Sequence, residues 1–133
     1  MNELIAKIEE LAGEELKRAN EEHPLFSSAH EAHAVIREEV DELKQDVKWL
    51  TDNVEGAWEF VKKDNEERTK THIGQARKAA TMAAAEAVQV AAMCMKYFAS
   101  LEKREGHVAD DELDEFFGEI RNGIRRMLRE GAK

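Results

Sequence analysis

The stretch Ala79–Ala99 constrains this chain more than any other. It reads AATMAAAEAVQVAAMCMKYFA and is apolar almost all the way round. A helix without a polar face is expected to be buried, so this segment reads as the central helix of the fold. Glu86 is the only acid between Glu67 and Glu102. At about 100° per residue it lines up with Met82, Val90, Met93 and Tyr97. An ionised carboxylate among packing side chains is costly unless a cation meets it. Two answers stand side by side. Glu86 is a structural ion-pair partner, with Lys78 and Lys96 on the adjoining strip beside Gln89, or it belongs to a metal or substrate site.

The 133 residues suit one domain, 1–133. One proline and seven glycines favour helices over a β-rich fold. The expected class is all-α, an antiparallel helical bundle of four to five helices. A net charge of −9 disfavours nucleic acid as an electrostatic partner, yet permits a phosphorylated ligand held through a divalent cation. Cys94 is the only cysteine and reads as a packed thiol. No long charge-free apolar run suggests a membrane span, and MNELIAKIEE lacks a signal-peptide pattern. The expected setting is cytoplasmic, without a membrane.

Residues 3–22 carry Leu4, Ile5, Ile8, Leu11, Ala12, Leu16 and Ala19 at helical spacing, and Pro24 ends that helix. Ser28-Ala29-His30-Glu31 reads as a capping box. A second helix is expected from Ala29 to Leu50, with a stripe of Ala32, Ile36, Val40, Leu43, Val47 and Leu50. Asp52-Asn53-Val54-Glu55 resembles another cap, opening a short helix through Ala57, Trp58 and Val61. A bend is expected near Asn65–Thr71. The long helix then runs to about Lys103, with Gly106 as its stop. Asp110 is expected to cap a last helix, basic at its end through Arg121, Arg125, Arg126 and Arg129.

The chain has no glycine-rich phosphate loop, no G-x-S-x-G, no zinc-spaced Cys/His cluster and no Glu-x-x-His. His30 and His33 lie away from the apolar stripe and read as exposed. Two carboxylate sets remain. Glu38-Glu39-Val40-Asp41-Glu42 is E-E-x-x-E, and Glu86-Ala87-Val88-Gln89 is E-x-x-Q. Asp41 points away from the stripe. Glu39 falls between Val35 and Leu43 on the packing side, with Glu42 and Asp46 on the same edge. Residues i and i+3 share a helix face, so Glu39 and Glu42 can meet Glu86 across a helix–helix contact. Converging hard oxygens suit Mg²⁺ or Mn²⁺.

This order of motifs resembles the MazG-like all-α NTP pyrophosphatases, whose signature is E-E-x-x-E on one helix and E-x-x-D on a later one. The resemblance covers roughly residues 28–99. It departs at Gln89, where the family has aspartate, and in the long gap between Glu42 and Glu86. It implies a helical bundle, a homodimer or homotetramer, and Mg²⁺-dependent hydrolysis of a nucleotide substrate to monophosphate and pyrophosphate. It further implies Glu39, Glu42 and Glu86 as metal ligands, Gln89 at the fourth ligand position, and Glu38 assisting Glu39 in catalysis. Lys78 and Lys96 are our own candidates for phosphate contact. Phe26, His30, Trp49 and Trp58 are candidates for lining a base pocket. The competing expectation is a non-catalytic nucleotide-binding or helical oligomerisation module on the same scaffold.

Overall fold

The computed structural model describes residues 1–23 and 25–104, together with Asn122, Arg126 and Arg129. Three helices are found among the described residues, and no strand: α1 (Asn2–Glu22), α2 (Ala29–Val61) and α3 (Glu66–Arg104). The class is therefore all-α. The expected four to five helices are not found there, because the segments 29–50 and 54–61 form one continuous α2. The stop at Gly106 and the helix after Asp110 lie outside the described residues. No helix among the described residues is long and apolar enough to cross a membrane.

The start of α2 follows its sequence. The Ser28 hydroxyl accepts from the Glu31 backbone N–H at 3.1 Å, as an N-cap should. The Glu31 carboxylate reaches back to the Ser27 hydroxyl at 2.6 Å, one residue beyond the usual capping box. The expected cap at Asp52–Glu55 does not form. Asn53 sits inside α2, where its side-chain amide donates to the Trp49 carbonyl at 3.0 Å. That local bond satisfies the asparagine without opening the helix.

The end of α2 uses a residue with a side chain where glycine is the common choice. Asp64 has φ 53, a left-handed conformation that aspartate tolerates. It lets Asn65 N–H reach the Phe60 carbonyl at 2.9 Å and Asp64 N–H reach Val61 at 3.1 Å. The Asn65 side chain then caps α3, accepting from Arg68 N–H at 3.1 Å.

The chain divides into two compact units, Met1–Ile36 with Val88–Lys133, and Arg37–Ala87. Both long helices run through both units. In the first unit, Ala12 and Leu16 of α1, Phe26 of the loop, Ala32 of α2 and Ala92 and Met93 of α3 form one buried cluster. The loop is pinned there. Phe26 N–H donates to the Ser100 hydroxyl at 2.9 Å, and that hydroxyl donates to the Lys96 carbonyl at 2.6 Å. Apolar burial is the main favourable term for such a cluster.

The second unit is a helical hairpin. Its buried residues are Asn53 and Ala57 of α2 and Ala76, Ala79 and Ala83 of α3. Small side chains line the seam. Gly56 is part of it, since a Cβ there would stand 2.9 Å from His72 Cε1. The Ala79–Ala99 segment is accordingly not buried on all sides. Met82 and Phe98 are about half exposed, and Ala80, Ala84, Ala85 and Ala87 face solvent.

Candidate metal centre

Glu39 and Glu42 stand one turn apart on α2, and the hairpin returns α3 so that Glu86 meets them. One carboxylate oxygen from each of the three lies within 4.8 Å of the other two. Two oxygens on opposite sides of a Mg²⁺ ion are about 4.2 Å apart, at roughly 2.1 Å per bond. The three carboxylates thus need only small rotations to share a hard cation.

Glu39 and Glu86 are half-buried and Glu42 is exposed. Glu86 Oε2 is shut off from solvent and has no hydrogen-bond donor among the described residues. Burial pushes the Glu86 carboxyl up to about 7, and the neighbouring Glu42 and Glu39 carboxylates push the same way. Loss of water and like charge both disfavour its ionised form. A proton or a cation relieves that cost, and no lysine or arginine forms an ion pair with Glu86 among the described residues. Among the described residues the ion-pair alternative for Glu86 therefore has no partner, and Lys78 is exposed.

The other acids of the E-E-x-x-E region stand outside the group. Glu38 is exposed, and Asp41 pairs with Arg37 at 3.5 Å on the solvent side. Asp46 is half-buried and is not in the group. Gln89 lies in the first unit, half-buried. There the Arg18 guanidinium, and after it the Gln89 side-chain amide, hold the Glu15 carboxyl below its usual range. The Gln89 amide thus has a carboxylate acceptor of its own on α1.

Lys96 also belongs to the first unit and is 4% exposed. Its ammonium sits over the Phe26 ring, 4.9 Å from the centroid. Burial lowers its pKa, while Glu31 pulls the other way. Its task there is packing by cation–π contact. Of the candidate pocket residues, Phe26 is buried in the core, while His30, Trp49 and Trp58 are exposed. His33 is exposed too. Cys94 is half-buried, and burial raises its thiol pKa, as a packed, unreactive thiol requires.

Asn53, which the sequence offered only as part of a cap, and His72, which it did not single out, meet in the hairpin. Asn53 Oδ1 and His72 Nδ1 are 3.2 Å apart, and the imidazole stacks on Phe60 with centroids 5.4 Å apart. The signal was an asparagine on the packing side of α2, read as a helix start. Comparison with known protein families, with curated proteins and with solved structures gave no match for this chain.

Proposed function

We propose that the chain is a metal-dependent nucleoside triphosphate pyrophosphohydrolase, with Glu39, Glu42 and Glu86 holding Mg²⁺ or Mn²⁺. The observation that carries this reading is the convergence of these three carboxylates with Glu86 Oε2 unsatisfied. The donor set fits a hard divalent ion, being all oxygen and anionic. When bound, such an ion neutralises phosphate charge and lowers the pKa of a coordinated water. Glu39 and Glu42 would hold it from α2, and Glu86 from α3. Glu38, exposed beside Glu39, would take a proton from an attacking water. Exposed Lys78 is the remaining lysine for phosphate contact, Lys96 being engaged with Phe26. The reading includes self-association, as the resemblance to MazG-like enzymes implies.

A second reading is a nucleotide-binding module without turnover. It is favoured by Gln89, which brings no charge and whose amide bonds Glu15. Titration calorimetry with Mn²⁺ and a panel of canonical and modified NTPs, assayed for pyrophosphate, decides between them. Metal binding with pyrophosphate release supports the enzyme. Nucleotide binding without release supports the module. Absence of both Mn²⁺ and nucleotide binding overturns both.

A further inference from the structure

We propose that the exposed apolar strip of the Arg37–Ala87 hairpin is a docking groove for an amphipathic helix of a partner protein, one that carries acidic residues along the edge lying on α3. Val47, Val54, Trp58 and Val61 of α2 are 44–59% exposed, and Ile73 of α3 is 52% exposed. The buried residues of the hairpin are alanines and Asn53. Two helices alone have no further layer on which to bury such bulky side chains.

The strip has the spacing that a helix partner reads. Val47, Val54 and Val61 recur every seven residues, with Trp58 one turn after Val54, and a seven-residue apolar repeat is the seam one helix offers another. Asn53 meets His72, and Gly56 lies against the same ring. Continued along the antiparallel pair, that register sets Val54 level with Ile73 and Val47 level with Ala80. At about 100° per residue, Val54 and Ile73 each stand a quarter-turn from their seam residues, to the same side. The two rows therefore wall one groove. From Val47 to Val61 it is about 21 Å long, which holds about four turns of helix. Anchors at i, i+3, i+4 and i+7 of an amphipathic helix fill a groove of this kind.

Charge selects the occupant. Lys70 and Arg77 border the groove on the α3 side and form no ion pair among the described residues. From Arg68 to Ala85 the chain has four basic residues and no acid. On the α2 side Lys48 is held by Asp52 at 2.9 Å and Lys62 by Glu59 at 3.0 Å. A helix in the groove thus meets two open cations along one edge and none along the other. Lys70 and Arg77 stand two turns apart, so acids seven residues apart on the partner reach both, and such complementarity fixes its register. A second copy of this chain is the poorer occupant. It offers single acids, Glu55 of α2 and Glu66 at the turn, beside the same two cations. The groove uses none of Glu39, Glu42 and Glu86 and does not depend on the metal reading.

Two designed amphipathic helical peptides of about four turns test this on the full chain. One carries glutamates seven residues apart along one edge, and the other carries lysines in the same places. The emission of Trp58, read in Trp49→Phe protein, is expected to shift to the blue with the glutamate peptide at micromolar concentration. The lysine peptide is expected to bind at least tenfold more weakly. Lys70→Glu with Arg77→Glu is expected to reverse that preference. Val54→Glu is expected to abolish the shift with unchanged helical circular dichroism, since that side chain is already exposed. No shift with either peptide, equal affinity for the two, or no reversal in the charge variant overturns the proposal. So does sedimentation in which Val54→Glu turns a dimeric parent into a monomer, which puts a second copy in the groove. Mn²⁺ titration of Val54→Glu reads the metal site separately.

Discussion

Asn53 Oδ1 meets His72 Nδ1 at 3.2 Å across the α2–α3 hairpin. Gly56 makes room for that ring, which also stacks on Phe60. The two helices approach closely here because the residues between them are small. A polar pair in such a place fixes the register of one helix against the other, since any slip leaves the buried Asn53 without its partner.

Gly56→Ala tests that close approach. Alanine is better than glycine in a helix by about 1 kcal/mol. The added Cβ would displace His72, breaking its contacts with Asn53 and Phe60, and such overpacking costs about 1–3 kcal/mol. The expected net result is a loss of about 1 kcal/mol in urea unfolding. In a His72→Ala background the same change should stabilise, and a loss of equal size in both backgrounds would contradict the account.

Glu86 sets a pH dependence in metal-free protein. Its carboxyl is raised to about 7 in the fold, from an ordinary value of 4.5. The folded state therefore binds the extra proton between those values, and stability falls as pH rises from about 4.5 to 7. Screening by solvent limits the effect to on the order of 1–2 kcal/mol. Glu86→Gln should be the more stable protein at pH 8 without metal and should flatten this slope. Parallel urea curves for parent and variant from pH 4 to pH 8 would contradict it.

The same substitution should act in the opposite sense when Mn²⁺ is present. Removing one of three anionic ligands weakens a hard-cation site. Saturating Mn²⁺ should raise the parent melting temperature and leave that of Glu86→Gln unchanged. Thermal shift with and without Mn²⁺ measures both.

Gln89→Asp replaces a donor to Glu15 with a second carboxylate. The lost bond and the added repulsion should cost about 1–2 kcal/mol, and Glu15→Gln should recover most of it in the double variant. If Gln89 stands in a ligand position as the MazG-like resemblance implies, Gln89→Asp also tightens Mn²⁺ binding. Calorimetry on the single and double variants separates the two effects.

Ser100→Ala removes the acceptor for the Phe26 backbone N–H in a buried place. An unsatisfied buried donor costs about 1–3 kcal/mol. The melting temperature should fall, and amide exchange at Phe26 should accelerate more than at Ala92.

The sequence by itself determined the helical class, the start of α2 and the facing carboxylates. Helical periodicity is local, so i and i+3 place Glu39 and Glu42 on one face whatever they pack against, and the Ser28 cap is made within four residues. Tertiary structure decided the rest. Asp52–Glu55 has the residues of a cap, yet α2 passes through it, because Asn53 bonds Trp49 behind it and His72 across the hairpin. The apolar run at Ala79–Ala99 spoke for burial on every side, yet among the described residues its alanines in the hairpin meet one neighbouring helix, and Met82 is about half exposed. Lys96 carried the pattern of a phosphate contact and is folded over Phe26. Gln89 lay one turn from Glu86 and turned to Glu15. Periodicity fixes the direction in which a side chain leaves its helix; which group waits there depends on how distant segments pack.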